Sequence, residues 1–198
     1  ISFEIKQKDH TAITTSSPKA KNGILIPRSI SFKNQEFIIT NIGQNSFKRN
    51  KHIKSVILLE DSLIYSICKG AFSYSSIEKL SISHKLTQIE DSAFEWCQNL
   101  HEIDIPDNSS LCHIGKNSFS HTSLETFSIP YRLTEICEFS FSYCERLKMI
   151  EIPTNSFLRS IQKYAFSCSS LEFLSIPKNL EKLEEGWCAG TSKLTRFS

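Results

Sequence analysis

The sequence predicts a solenoid of short parallel strands, and three observations carry that prediction. A motif of the form Ile-x-x-x-(Ala/Ser)-Phe recurs at residues 42–47, 67–72, 89–94, 114–119, 136–141 and 161–166. A degenerate seventh copy spans 183–188, where Trp187-Cys188 stands in place of the small residue and Phe. The Phe positions and Cys188 are separated by 25, 22, 25, 22, 25 and 22 residues, so the true unit is a pair of repeats 47 residues long. After each motif a Leu or Ile, five or six residues on, opens a short apolar alternation that usually ends in Ile-Pro.

A period of roughly 20–29 residues is that of leucine-rich repeats, whereas helical repeats need about 33 or more and propeller blades about 40. The 47-residue pair overlaps the longer periods, but each half carries its own complete apolar set. The half is therefore the structural unit.

Each element follows from local pattern. In Leu100-His101-Glu102-Ile103-Asp104-Ile105-Pro106, the isoleucines alternate with acidic residues, the two-residue period of a half-buried strand. Pro106 ends it, having no N–H to give a ladder. The same strand recurs at Val56/Leu58, Leu80/Ile82, Phe127/Ile129, Ile150/Ile152 and Leu174/Ile176. Because every repeat runs the same way, these strands stack in parallel as a concave sheet. The Ile-x-x-x-(Ala/Ser)-Phe stretch returns on the convex side as a turn or short helical turn. The small residue before each Phe suits a crowded bend, and Phe47, Phe72, Phe94, Phe119, Phe141 and Phe166 form an inward spine. A lone repeat buries too little to offset the ordering of its residues, so only neighbours let it fold.

Residues 1–41 do not fit the repeat and read as an N-terminal cap. There Ile24-Leu25-Ile26-Pro27 resembles a strand end, and residues 29–32 and 36–40 flank Lys33-Asn34-Gln35 as a hairpin. Residues 14–23, rich in Thr, Ser, Pro, Lys and Asn, read as a loop. Residues 42–198 are an array of about seven repeats. Residues 194–198 are a repeat strand with no polar cap after it, so the array continues in the natural protein or that edge pairs with something. The strand-like start, without initiator Met or secretory signal, reads as a mature or excised fragment.

The bulk numbers bound the function. Twenty-three basic against 21 acidic residues give a net charge of +2, which supplies no reason for a nucleic-acid partner. No run of about 18 apolar residues exists, so this segment does not insert in a bilayer. Six Gly and six Pro exclude a linker, while 14 Phe against one Met show one aromatic chosen repeatedly.

The repeat Ile-Gly-x-x-(Ala/Ser)-Phe-x-x-Cys-x-x-Leu-x-x-(Ile/Phe)-x-Ile-Pro, nearest at residues 89–106, 114–130, 136–153 and 161–177, resembles that of the BspA-like leucine-rich-repeat proteins. The segment from Ile26-Pro27 through Phe32-Lys33-Asn34 to Ile42-Gly43 looks like that family's entry into the array. The resemblance covers residues 24–198. It implies a surface or secreted protein of the kind associated with adhesion to host matrix proteins and host cells, with no shared catalytic motif. The sequence departs from the pattern in its alternating lengths. It also has Asn50, Tyr74 and His121 where counting back three from the Leu or Ile places the family Cys.

Residues that could carry chemistry have plainer roles. His52, His84, His101, His113 and His121 fall at different phases of the repeat, and His10 lies outside it, so they are read as solvated loop histidines and not metal ligands. Cys97, Cys144 and Cys168, each three before a Leu, are read as core packing. Cys97 and Cys144, two coils apart, are about 10 Å distant at roughly 4.8 Å per strand, beyond disulfide reach. Cys144 and Cys168, on adjacent coils, could approach. Glu102, Asp104 and Glu151 lie on an open strand face that provides no cleft for acid–base work. No nucleotide, metalloprotease or nucleophile-elbow motif occurs, and no cofactor is implied. Asn108-Ser109-Ser110 is the one glycosylation sequon, in a long-repeat loop.

The binding surface of a solenoid is by default its open sheet. The positions facing out of it are Ser55, Lys79, Glu102, Thr126, Met149 and Phe173 in one row and Ile57, Ser81, Asp104, Ser128, Glu151 and Ser175 in the next. In the second row small serines alternate with larger side chains. Ile57, Met149 and Phe173 are apolar where water is expected, marking either a contact site or mutual packing. The leading reading is a non-enzymatic adhesion or recognition module at a cell surface, binding a protein or glycan on its concave or lateral face. The alternative is an intracellular scaffold for protein assembly, which unpaired cysteines would suit.

Overall fold

The structure, a computed structural model, describes residues 1–197. The chain winds as a parallel solenoid with almost no helix, as the period predicts. One ladder runs through β3 (Asn22–Ile26), β6 (Ile53–Leu58), β8 (Lys79–Ser81) and β10 (Glu102–Asp104), and resumes with β12 (Thr126–Ser128), β14 (Met149–Glu151), β16 (Phe173–Leu174) and β18 (Arg196–Phe197). Every pairing in it is parallel, with a register shift between Asn22 and Gly23 where β3 meets β6, and from β6 onward the strands meet at equivalent repeat positions, Glu102 with Lys79 and Met149 with Phe173 among them.

A second ladder was not foreseen. The Ile of each motif sits in a two-residue strand that pairs with its counterpart on the next coil. These strands are the end of β5 (Gln35–Ile42), β7 (Ser66–Ile67), β9 (Gln88–Ile89) and β11 (His113–Ile114), then β13 (Glu135–Ile136), β15 (Ser160–Ile161) and β17 (Lys182–Leu183). Two residues are too few to show an alternation, so the sequence gives no strand signal there.

The convex return is two successive turns. Alternate amides close them, as in Ser118 N–H to Gly115 O (3.3 Å) and Ser120 N–H to Asn117 O (3.2 Å). The amides in between reach the next coil, Phe119 N–H to Ser140 O (2.9 Å) and His121 N–H to Ser142 O (3.0 Å). Buried backbone groups must be paired, and this division of labour pairs them without a helix. It also demands left-handed backbone twice per coil, at Asn117 (φ 55°) and His121 (φ 59°) for example.

The six Phe rings lie in one file, each no more than 1% exposed. Their centroids are 5.0, 5.1, 5.4, 5.4 and 5.6 Å apart, with planes within 18° of parallel. Trp187 closes the file edge-on to Phe166 at 6.1 Å. The small-residue row beside the spine holds Ser46, Ala71, Ala93, Ser118, Ser140 and Ala165. Ser46 is hydrogen-bonded to the cap through Thr14, but the buried hydroxyls of Ser118 and Ser140 have no partner among the described residues. A buried unpaired hydroxyl destabilises, so Ser140→Ala, matching Ala71, Ala93 and Ala165, should raise stability by about 1 kcal/mol in urea unfolding.

The N-terminal region differs from expectation in one respect. β1 (Ser2–Lys6) and β2 (Thr11–Thr15) form an antiparallel hairpin, and β2 pairs in parallel with β5, covering the end of the second ladder. Residues 14 and 15 therefore end a strand and 22 and 23 begin one, leaving only 16–21 as the loop. The reason is that Ala12 and Thr14 face inward in alternation, and a threonine in that position does not read as apolar. The hairpin of β4 (Ser29–Phe32) and β5 is present, with Lys33 (φ 49°) and Asn34 (φ 60°) as a two-residue turn and Gln35 already paired to Phe32. β3 is the first strand of the open ladder. Ser198 lies outside the described residues, so the chain's last strand is described only as β18.

The cysteine slot also needs correction. Its inward position is counted three forward from Phe, not three back from Leu, because the extra residue of the longer spacing falls after it. The slot holds Asn50, Ser75, Cys97, Thr122, Cys144 and Ser169. Cys97 Sγ donates to Phe72 O (3.0 Å) and Cys144 Sγ to Phe119 O (3.1 Å), while Thr122 Oγ1 meets Cys144 Sγ at 3.4 Å. Cys168 is displaced to the outer, left-handed row with φ 54°, so it does not bridge Cys144, and both thiols are free.

Candidate binding surface

The first ladder projects two rows of side chains away from the core. Ser55, Lys79 and Glu102 stand in register on β6, β8 and β10, and Thr126, Met149 and Phe173 on β12, β14 and β16. Beside them run Ile57, Ser81 and Asp104, then Ser128 and Glu151, with Ser175 just past the end of β16. Most are exposed, while Ser55, Ser81, Met149, Phe173 and Ser175 are half-buried.

The charges on this face are partly satisfied along the ladder. Lys79 Nζ lies 2.6 Å from Glu102, and that contact holds the Glu102 carboxyl below the usual carboxylate range. Ser81 Oγ donates to Asp104 at 3.1 Å, and Ser128 donates to Glu151. The serines of the short coils thus serve the carboxylates of the coils that follow, which gives the two-repeat alternation a physical role. Of the three apolar positions, Met149 and Phe173 are in-register neighbours and half-buried. Ile57 is 45% exposed beside Leu25, which is 52% exposed. Leu25 belongs to the same row but was hidden in the cap, where no repeat marks its phase.

A ledge borders this face where each strand ends at its Ile-Pro or equivalent. Three grooves share walls along it. One of about 200 Å³ runs past Leu58, Ser83 and Pro106. The next, about 420 Å³, lies between Ile105, Ile129 and Tyr131. The third, about 810 Å³, lies between Pro153, Phe157 and Pro177. Tyr131 and Phe157 meet edge-on at 6.1 Å, and Phe157 is 55% exposed. Neither belongs to the repeat consensus, and an aromatic in a loop slot where the other coils have none was the available signal.

On the convex side a second file of rings is partly open to water. Arg49 lies 5.6 Å over Tyr74, and Tyr74, Trp96, His121 and Tyr143 follow at 5.9, 3.7 and 4.6 Å. Burial between Trp96 and Tyr143 pushes the His121 pKa down. The ring faces are spent on one another, so this file is chiefly structural. Burial likewise drives the Cys97 thiol up to about 12 and Cys144 up to about 11, leaving both un-ionised at neutral pH. Among the described residues no three His, Cys, Asp or Glu converge as a metal site, and no helix is long and apolar enough to cross a membrane.

Comparison with known proteins agrees with this geometry. Among solved structures, a leucine rich cell surface protein of Faecalibacterium prausnitzii superposes with a TM-score of 0.77 at 20% identity over 98% of this chain. The match covers 52% of that protein, so the chain spans about half of its length. A leucine-rich repeat protein of T. pallidum gives 0.74 at 20% identity, over 92% of this chain and 78% of that one. One from Bacteroides ovatus gives 0.57 at 17%, over 92% and 59%. These likenesses show the fold. No match was found among curated proteins. The BspA type leucine rich repeat region matches in six copies over residues 27–113 and 102–198, and the chain belongs to that family.

Proposed function

We propose that the chain is a non-enzymatic binding module of a cell-surface or secreted protein. Its ligand, a protein or glycan such as a host surface or matrix protein, lies along the face of the first ladder and the ledge beside it. The observation that carries this reading is the run of three wall-sharing grooves on that ledge, with apolar Ile and Pro walls and exposed polar rims. Concave apolar surface with a few placed polar groups is where recognition concentrates. The cell-surface description of the Faecalibacterium protein supports the location.

The test has two arms. Biotinylation of intact cells making the natural protein should label it, and the purified chain should bind an immobilised matrix protein. The triple variant Lys79→Glu, Asp104→Lys, Glu151→Lys should weaken that binding by about tenfold, the scale of 1.4 kcal/mol. Labelling only after lysis would favour the intracellular scaffold, which the seven free cysteines favour on physical grounds, since unpaired thiols persist in reducing compartments. Unchanged binding in the variant would move the site off this face.

A further inference from the structure

The solenoid is split at one interface. β10 and β12 are not hydrogen-bonded neighbours, and neither are β11 and β13, so both ladders stop between the same two coils. At every other step the coils pair in both ladders. The convex side does not part there, because Asn117 N–H still reaches Glu138 O (3.2 Å) and Phe119 N–H reaches Ser140 O (2.9 Å). The two halves are therefore joined at the back and, just ahead of the strands, by Ser123 N–H to Leu100 O (2.9 Å), while β10 and β12, and β11 and β13, stay unpaired.

Phe127 is the wedge. The equivalent inward position holds Val56, Leu80, Ile103, Ile150 and Leu174 on the other coils, and Phe197 stands at the same register position on the last strand, β18. The Phe127 ring packs tilted between two spine rings, 5.4 Å from Phe119 and 4.9 Å from Phe141. The ring is bulkier than the aliphatic side chains on the coils either side, and the ladder parts on its β10 side alone, Phe127 staying in register with Ile150 of β14. Ile103, across the gap, is only partly buried, whereas Val56, Leu80 and Ile150 are fully so.

The opening leaves β10 and β12 each with an unpaired edge turned toward the other, and the 420 Å³ groove is its mouth on the ledge. Unpaired edges are templates for an added strand. The groove is acidic: Asp107 and Glu151 line it and form no ion pair among the described residues, and no basic side chain lines it.

We propose that this fissure receives an extended, basic segment of a partner polypeptide. Its main chain pairs with the free edges of β10 and β12, its apolar side chains enter the Ile105/Ile129 groove, and its cations meet the carboxylates at the rim. The proposal rests on the protein-binding reading above and deepens it.

The experiment uses the whole chain and a synthetic probe, an eight-residue peptide of alternating Lys and Val, with an N-methylated copy that cannot form a ladder. The peptide should bind and slow amide exchange at residues 102–104 and 126–128, and the N-methylated copy should not. Phe127→Leu, which restores the side chain of Leu80 and Leu174, should close the ladder and weaken binding by at least about tenfold. The exposed pair Asp107→Lys, Glu151→Lys, which leaves the core untouched, should weaken it comparably and keeps the proposal open to refutation if Phe127→Leu folds poorly. Equal binding to wild type, Phe127→Leu and the charge-reversed pair, with protection elsewhere on the ledge, would overturn the fissure while leaving the protein-binding reading intact. Failure of the peptide to bind at all would also overturn it, and surface labelling would still judge the broader reading separately.

Discussion

Truncation of Phe119 to Ala is expected to destabilise the protein by about 3–5 kcal/mol, the range for a large aromatic removed from a packed core. Phe119 is fully buried at the middle of the file, between Phe94 and Phe141 at 5.4 Å each, and touches Phe127 as well. Its carbonyl also accepts from Thr122 Oγ1 (2.8 Å) and Cys144 Sγ (3.1 Å), so the ring anchors a backbone node that links neighbouring coils. In a one-dimensional stack, a central defect weakens both interfaces that flank it. It is most severe here because the ladders are already parted beside this residue. Urea unfolding followed by circular dichroism should show a lowered midpoint, and a separate early transition if the two halves uncouple. Phe119→Leu should lose much less. A loss under about 1 kcal/mol for the alanine variant would mean that the spine does not hold the coils together.

The second large effect is expected at Asn50. Its side chain is 4% exposed and makes four hydrogen bonds to main chain. The amide donates to Ser17 O (3.1 Å) and Ala20 O (2.8 Å), and the carbonyl accepts from His52 N–H (2.8 Å) and Ile53 N–H (3.0 Å). One residue thus stitches the loop before β3 to the start of β6. Asn50→Ala strands four main-chain groups in or near the interior, at about 1 kcal/mol each, so a total loss of about 3–4 kcal/mol is expected. Asn50→Asp keeps the acceptor but sets a carboxylate against two carbonyls, so it should not rescue. Limited proteolysis should cut within residues 16–21 faster in both variants than in wild type. An unchanged cutting rate would show that the cap is held by other contacts.

What was legible in the sequence was whatever recurs. Phe47 to Phe166 could be read as one file because six copies sample the same slot, and the registers of Ser55 with Lys79 or Thr126 with Met149 follow once the period is known. What occurs once, or in too few residues, was not legible. The two-residue strands of the second ladder carry no alternation. The β1–β2 hairpin hides its inward residues behind Thr14, whose hydroxyl is satisfied by Ser46 and Gly43. The cysteine slot was misread because the length alternation inserts its extra residue between the slot and the Leu, so counting from either end gives different answers. The outward rows were readable as a list of positions, but not the pairing along them, since Ser81 with Asp104 and Lys79 with Glu102 depend on which neighbour each side chain leans toward. The ledge grooves and the fissure escaped for the same reason. The grooves are walled by single departures, Tyr131 and Phe157, that a repeat-based reading treats as noise, and the fissure is a missing pairing that no residue pattern marks.

Native-state hydrogen exchange puts the central claim, that each coil folds only by leaning its Phe on the next, to the most direct trial. The amides of Phe72, Phe94, Phe119 and Phe141 donate to Ala93, Ser118, Ser140 and Ala165 of the adjacent coil at 2.8–2.9 Å. They should open only with the array, showing the largest protection in the chain and losing it together as denaturant is added. If these four amides exchanged as fast as the loop at residues 16–21, or independently of one another, stacked rings would not be what keeps the coils wound.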